Sequence, residues 1–327
     1  MKNKIFKWVL RILIALVILV LFALAAFSLG ERLTFLSFYS NAEAYQKMPG
    51  IFTGYTHQGY TLVKDKNMRL ACGYMSNDEA SRIYIMPEGS NDYTFVELKN
   101  ADGSDYTGHT GGIDVYGKYV YITAETGCDL FLFDDVMDGD GVATLTRNIP
   151  TFNDPAYCEI KDDVLYVGTF YHAGTYETPA SYHMTTPAGD KNTAIITAYD
   201  LDPATGLPKS DTPFCIYSTT SFVQGMTFTD DQRIILATSY GLSKSHLLIY
   251  DIDKIYTSGT TLEVNGVNVP VMYLDSDCLA EDIIAPPMAE EIIYEDGTIY
   301  IMNESASNKY VFGHLTSGRR VYGYKLK

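Results

Sequence analysis

Tryptophan is almost absent from this sequence, which has one tryptophan and 27 tyrosines among 327 residues. Tyrosine in such numbers suits strands with a half-exposed face, and it can also line a polar binding surface. Hydrophobic residues make up 46% of the chain, so a packed core can form and wholesale disorder is excluded.

Positive charge is scarce as well, because 24 lysines and arginines stand against 40 aspartates and glutamates, for a formal net charge of −16. Nucleic-acid binding requires a basic footprint, and the sequence contains none that we can recognise. We therefore expect no nucleic-acid partner. An acidic solvated surface explains the charge by itself, although such a surface also attracts cations.

Paired-cysteine motifs and the common catalytic signatures are missing too. The 5 cysteines form no CxxC pair and no zinc-type spacing, so we expect small buried strand residues. No glycine-rich phosphate loop or G-x-S-x-G motif occurs. The stretch 134–141 has the composition of a calcium loop without its spacing, which favours a tight acidic turn. The weak calcium candidates in this stretch are Asp135, Asp138 and Asp140.

What the sequence does contain begins with an almost wholly apolar run at residues 12–29. This run reaches the length at which a helix spans a bilayer. The basic residues in segment 1–11 predict a cytoplasmic N-terminus, with the rest of the chain outside. A cleavable signal peptide with an A-x-A site at 23–25 is the alternative, but the apolar run continues past that site. We therefore favour an uncleaved signal-anchor in a single-pass protein of the cell membrane.

Residues 30–56 are predicted to connect this helix to a folded domain at 57–327. The pattern over 31–46 is loosely helical, and Pro49-Gly50 ends it. Two alternatives remain open for this connector, a stalk helix or a segment packed on the domain.

A four-strand pattern recurs five times after residue 56, most clearly in residues 222–252. Each unit has a short first strand, a tight turn and a strongly apolar second strand. In the fourth unit we expect the last strand at 267–273, and in the fifth unit the last two at 309–312 and 321–326. A unit period of roughly 45–70 residues predicts an all-β fold, a β-propeller of five four-stranded blades. A β-sandwich is the alternative, but it does not require the same order of elements in every unit.

The longer loops of these units fall on one face of the predicted propeller, around one mouth of its channel, where binding usually occurs. Entry residues of the first strands converge on this mouth, with Glu304 on the same rim. They could bind a polar ligand, calcium or another divalent cation, or could supply acid–base chemistry. A water-filled channel with a polar lining is the alternative. The candidate residues are His57, Gln58, His109, Tyr157, Glu159, His172, Gln224, Glu290, Glu291 and Asn303.

The segments F-V-Q-G-M (222–226) and T-S-Y-G-L-S-K-S-H-L (238–247) resemble a blade motif of the five-bladed glutaminyl-peptide cyclotransferase-like propellers. That family carries Q-G-L near a second-strand S-T-G-x-x-x-x-S, and the match covers about one blade. Ala237 and Thr238 stand where the family has an acidic residue. The residues that carry the match are Gln224, Gly225, Ser239, Gly241 and Ser245.

The resemblance implies the propeller fold, while function depends on the site that a fold carries. The leading prediction is a module that binds an extracellular ligand or protein through the loop-rich face. The alternative is a metal- or carboxylate/histidine-dependent enzyme, cyclotransferase- or lactonase-like, with its site at the channel mouth.

Overall fold

The N-terminal part of the chain is a long helix that leads directly into the first strand. In this computed structural model, residues 2–138, 141–255 and 259–326 are described. The long helix contains the apolar run and is long and apolar enough to cross a membrane. These elements are α1 (Lys2–Thr34), α2 (Leu36–Tyr39) and β1 (Ala42–Lys47).

Two four-stranded antiparallel meanders come next, and a parallel pair between their outermost strands joins them into one sheet. The turns between first and second strands contain left-handed residues, Asn67 (φ 54°) and Gly117 (φ 59°), as expected for tight hairpins. The strands are β2 (Tyr55–Val63), β3 (Met68–Met75), β4 (Arg82–Pro87), β5 (Thr94–Lys99), β6 (Ile113–Tyr116), β7 (Tyr119–Ala124), β8 (Gly127–Leu132) and β9 (Val142–Pro150), with α3 (Phe133–Met137) before β9.

The third meander consists of β10, β11, β14 and β16, and the two-residue strands β12, β13 and β15 lie between its members in the sequence. The fourth meander consists of β17, β18, β19 and β22, and the hairpin of β20 and β21 is inserted before its last strand. The strands are β10 (Tyr157–Lys161), β11 (Val164–Gly168), β12 (Met184–Thr185), β13 (Lys191–Asn192), β14 (Ala194–Asp202), β15 (Leu207–Pro208), β16 (Cys215–Thr219), β17 (Val223–Phe228), β18 (Ile234–Thr238), β19 (Ser245–Tyr250), β20 (Thr261–Val264), β21 (Val267–Tyr273) and β22 (Leu279–Ala285).

The last meander is completed by the beginning of the chain. β23 (Ala289–Glu295), β24 (Thr298–Asn303) and β25 (Arg320–Lys325) are consecutive, and β1 pairs antiparallel with β25 as the outermost strand. The first and last parts of the folded domain therefore lie in one sheet.

The first strands of the meanders form a closed ring. β2 contacts β6, β6 contacts β10, β10 contacts β17, β17 contacts β23, and β23 contacts β2. The second strands are buried on both faces, as in β18, where every residue is buried. Stacked sheets that cover each other on both sides require such strands. The prediction of an all-β propeller preceded by an apolar helix is confirmed.

Two predicted strand assignments were wrong. Residues 309–312 form no strand: a 3-10 turn occupies Val311–Leu315, and β25 is the third strand of its meander. The fourth strand is β1, which pairs with β25 at the other end of the chain. Its sequence, A-E-A-Y-Q-K, favours helix, so the sequence does not reveal this strand. Residues 267–273 are a strand, β21, but it runs parallel to β16, and the acidic β22 takes the predicted place beside β19.

A buried arginine links the first and last meanders. Arg69 on β3 is 0% exposed, and its guanidinium donates to Glu88 from Nε at 2.5 Å and from Nη2 at 2.9 Å. Nη2 also donates to Glu295 of β23 at 3.3 Å. The guanidinium lies 4.1 Å from the ring centroid of Tyr300 and 4.9 Å from that of Tyr45 on β1. One cation therefore contacts three elements of the last meander.

Candidate functional site

A cavity of about 690 Å³ opens at the mouth of the channel. Its floor is formed by entry residues of the first strands, and its walls by loops that follow second strands. Five residues that the sequence predicted at the mouth come together in its lining: Gln58, His109, Gln224, Glu290 and Glu304.

Two of the carboxyl groups in the lining of this cavity belong to Glu290 on β23 and to Glu304 directly after β24. Gln58 donates from Nε2 to Glu304 Oε1 at 3.2 Å. Burial raises the pKa of the Glu290 carboxyl well above its ordinary value, and the neighbouring Glu304 raises it further, while Lys309 lowers it. Burial also raises the pKa of Glu304, against hydrogen bonds from Tyr310 and Gln58. Burial and the nearby charge of Glu304 therefore favour a protonated Glu290 carboxyl at pH values where an ordinary glutamate is ionised.

A lysine stands at the edge of the carboxyl pair. Lys309 Nζ donates to the Tyr74 hydroxyl at 2.9 Å and lies 5.4 Å from the ring centroid of Tyr310. The His109 ring packs against Tyr74 with a centroid distance of 4.8 Å. The Lys309 cation is therefore already engaged by tyrosines.

An aromatic wall, formed by Phe170, Tyr176 and Tyr240, makes up another part of the cavity lining. Phe170 lies 5.4 Å from Tyr176 and 6.3 Å from Tyr240 between ring centroids. Tyr240 also stacks on His172 at 3.9 Å. Three further carboxylates lie on the cavity rim: Glu125, Asp154 and Glu177.

The remaining predicted residues lie outside this cavity lining. The His57 ring is fully buried and bonds through Nε2 to the Pro49 carbonyl at 2.6 Å, and burial lowers its pKa to about 4. His172 packs behind the aromatic wall, and Asn303 is buried on β24. These three side chains support the mouth without facing it.

Two carboxyls, those of Asp114 and of the predicted Glu159, lie deeper in the channel. Thr61 donates to Asp114 Oδ1 at 2.9 Å, and the Ile160 amide donates to Asp114 Oδ2 at 2.6 Å. Thr227 donates to Glu159 Oε1 at 3.1 Å. Each bond connects first strands of neighbouring meanders. Asp114 and Glu159 also line a second cavity, of about 310 Å³, away from the mouth.

Glu291 lies between the two cavities in a crowded part of the channel. Its Oε2 and the Tyr157 hydroxyl are buried and have no hydrogen-bond partner within the described residues. Gly225 makes room for it, since a Cβ at that position would approach Glu291 Oε1 to 2.4 Å. Burial raises the pKa of the Glu291 carboxyl well above its ordinary value, and Glu159 raises it further.

Two of the three calcium candidates, Asp135 and Asp138, lie at the outer strands of the second meander. Asp135 belongs to α3 and Asp138 follows its last residue, while Asp140 lies outside the described residues. Among the residues that the structure describes, no three His, Cys, Asp or Glu side chains are arranged to hold a metal ion. All five cysteines are buried and unpaired.

Sequence reasoning missed Lys309 and Tyr310 as lining residues, because their segment was assigned to a strand. The motif that carried the family resemblance contributes in two ways. Gln224, Ser239 and Gly241 line the cavity, whereas the Ser245 hydroxyl accepts from a backbone amide at 3.1 Å.

The fold and the cavity thus define an all-β propeller with an acidic, aromatic pocket at its channel mouth. No protein-family model matches the chain, and a search of curated proteins finds no match. The chain is similar in structure to a glutaminyl cyclase of Myxococcus xanthus (10% identity, 88% of this chain and 95% of that chain, TM-score 0.44). It is also similar to the PQQ-bound aldose sugar dehydrogenase of Streptomyces coelicolor (16% identity, 80% and 78%, TM-score 0.40). A third similar structure is a putative glucose dehydrogenase of Thermus thermophilus (10% identity, 86% and 98%, TM-score 0.44).

Proposed function

We propose that this protein is a membrane-anchored, extracytoplasmic propeller of five blades that binds a small cationic ligand at its channel mouth. One observation carries the proposal: carboxyl groups and an aromatic wall converge on a single cavity of about 690 Å³. We count five blades by treating each four-stranded meander, whose first strand belongs to the closed ring, as one blade. Membrane anchoring is supported by α1, and the outward orientation by the basic residues that precede the apolar run.

The chemistry of the lining favours a cation with an apolar body. Among the described residues, five carboxyl groups line the cavity against the one ammonium of Lys309, which the tyrosines already engage. Aromatic faces attract ammonium groups and also pack against apolar surface. We therefore propose an ammonium beside Glu290 and Glu304, and the apolar part of the ligand against Phe170 and Tyr240. We expect no binding of nucleic acid, because these carboxylates would repel its negatively charged phosphates.

The first test uses phenethylamine as the probe on the full chain in phospholipid nanodiscs. We expect phenethylamine to bind, and we expect 2-phenylethanol and 3-phenylpropionate to bind at least about tenfold more weakly, since they lack the cation. Glu290→Gln should weaken phenethylamine binding by about tenfold, a loss of roughly 1.4 kcal/mol. Glu263→Gln, an exposed residue away from the cavity, is the control and should change nothing. Equal binding of all three probes would rule out a cation site.

The carboxyl pair supports a second candidate function, acid–base catalysis. Because burial raises both pKa values, and Glu304 raises that of Glu290 further, one carboxyl can act as a proton donor while the other, once ionised, accepts a proton. Hydrolysis of a small lactone and cyclisation of a glutaminyl peptide are the reactions to assay. If either reaction occurs, Glu290→Gln and Glu304→Gln should each slow it by about 100-fold. A rate that neither substitution changes would exclude this pair from the chemistry.

A further inference from the structure

The chain leaves no room for a spacer between the apolar helix and the propeller. α1 ends at Thr34 and α2 begins at Leu36, and helical hydrogen bonds continue across the junction, from the Phe35 amide to the Glu31 carbonyl at 3.0 Å. Residues 30–34 span only about 7.5 Å of helix. The headgroup layer on each side of a bilayer is about 5–8 Å thick. Where the run 12–29 spans a bilayer, the adjoining edge of the propeller must therefore lie among the headgroups.

The junction is also tied to the last meander. Phe38 is buried and packs on Tyr324 and Tyr322 with centroid distances of 5.5 and 6.3 Å. The Tyr39 hydroxyl donates to Glu31 Oε1 at 2.6 Å, and the Arg32 guanidinium lies 5.3 Å from the Tyr39 ring centroid. These contacts fix the direction in which α1 leaves the propeller, so one face is held toward the bilayer.

The surface next to this junction is unusually apolar. Phe52 is 68% exposed, Leu33 60% and Leu36 57%. Phe52 adopts a left-handed backbone conformation (φ 69°) and stacks on His314 at 5.0 Å. His314 belongs to the 3-10 turn Val311–Leu315, which contacts α1. The three apolar side chains therefore surround the exit of the helix.

The same surface carries positive charge in an otherwise acidic protein. The Arg319 guanidinium lies 5.4 Å from the Phe52 ring centroid. Burial raises the pKa of the nearby Tyr322 hydroxyl, the charges of Arg32 and Arg320 lower it, and that of Glu31 raises it. Guanidinium groups beside exposed apolar side chains fit an interface in which anionic phosphates cover an acyl layer.

We propose that these residues form a membrane-docking face that rests on the phospholipid headgroups of the bilayer into which α1 inserts. The occupant is the lipid surface itself, to which α1 tethers the face. The apolar side chains enter the headgroup layer, and the arginines bind lipid phosphates. His314, which stacks on Phe52, bonds through Nε2 to Asn308 Oδ1 at 3.1 Å, next to Lys309 of the cavity lining, so the ligand cavity opens beside this face. The proposal rests on the membrane anchoring proposed above. The docking-face residues are Arg32, Leu33, Leu36, Phe52, Arg319 and Arg320.

Depth-dependent fluorescence quenching tests this on the full chain, since Trp8 is the only native tryptophan and lies on α1. The chain is placed in vesicles of phosphatidylcholine and phosphatidylglycerol whose acyl chains are brominated near the headgroup. Trp8 reports insertion of α1. Trp8→Phe with Phe52→Trp reports the docking face, and Trp8→Phe with Phe214→Trp is the matched control, because Phe214 is exposed on the third meander.

We expect the tryptophan at position 52 to be quenched at least about twice as strongly as that at position 214, because only the former meets lipid. Adding Arg319→Glu should lower the quenching at position 52 by about twofold, whereas Arg233→Glu on the fourth meander should not. Equal quenching at positions 52 and 214, with Trp8 quenched, would overturn the docking face and leave the anchor intact. An unquenched Trp8 would overturn both.

Discussion

Replacing Arg69 with methionine should lower the free energy of unfolding by about 3 kcal/mol, because two half-buried carboxylates lose their buried cation. Glu88 and Glu295 both bond to this guanidinium, and Tyr45 of the closing strand lies against it. The loss should weaken the joint between the first and last meanders. Urea and thermal denaturation followed by circular dichroism measure the change. Tryptophan fluorescence is unsuitable, since Trp8 lies on α1 and not in the propeller.

The control for this prediction is Arg233→Met. Arg233 forms an ion pair with Asp231 at 3.0 Å in an exposed turn, and such pairs contribute about 1 kcal/mol at most. Arg69→Lys should recover only part of the stability, because an ammonium cannot form the two-pronged bond to Glu88. If Arg69→Met costs no more than Arg233→Met, the arginine does not hold the closure of the ring.

The second large effect is a loss of stability as pH rises, caused by buried carboxyl groups. Burial raises the pKa of Asp114 from 3.8 to about 6 and those of Glu159, Glu290 and Glu291 well above 4.5. Between the ordinary and the raised values the folded protein binds more protons than the unfolded chain. The stabilisation is full below the ordinary values and is lost as pH rises through the raised ones. The ionisation of Asp114 alone should lower the free energy of unfolding by about 3 kcal/mol as pH rises from its ordinary pKa through its raised pKa. His57, whose pKa burial lowers to about 4, acts in the opposite direction below about pH 6.5, so we expect the melting temperature to fall most clearly from pH 6.5 to pH 8.

Glu291→Gln separates this effect from other titrations. The glutamine amide cannot ionise. Its NH2 group can also donate a hydrogen bond to the nearby carboxyls from the position where Glu291 Oε2 has no partner. The free energy of unfolding of the variant should therefore exceed that of the native protein by about 1–3 kcal/mol at pH 8. The gain should shrink toward pH 5, where the native carboxyl is neutral. Glu263→Gln is the exposed control. A Glu291→Gln variant less stable than the native protein at pH 8 would show that the ionised carboxylate is needed.

The sequence predicted the repeating part of the fold because each meander contains its own turn chemistry and a strongly apolar second strand. Asn67 and Gly117 mark hairpins that the structure contains. It could not predict how the ring closes, because β1 pairs with a strand at the other end of the chain and its residues favour helix. It also misplaced β21, since strand propensity identifies a strand without identifying its partner.

The sequence predicted the site residues that lie at the entry of the first strands. It did not predict which of their side chains face the cavity. Gln58, Gln224 and Glu290 face one cavity because their strands form one ring. Glu291 follows Glu290 directly but lies deeper, where β23 shifts register against β24 between Ala289 and Ile292. Lys309 comes from a segment without regular strand structure, which no periodicity could have placed at the mouth.

Proton release on ligand binding tests the central claim most directly. A cation that binds beside Glu290 and Glu304 should displace the proton the pair retains near neutral pH, because it favours the ionised carboxylates. Calorimetric titration of phenethylamine at pH 7, in buffers of different ionisation enthalpy, measures this release. We predict release of up to about one proton per ligand in the native chain and clearly less in Glu290→Gln. Binding without proton release, or with the same release in Glu290→Gln, would contradict a cation site at the carboxyl pair.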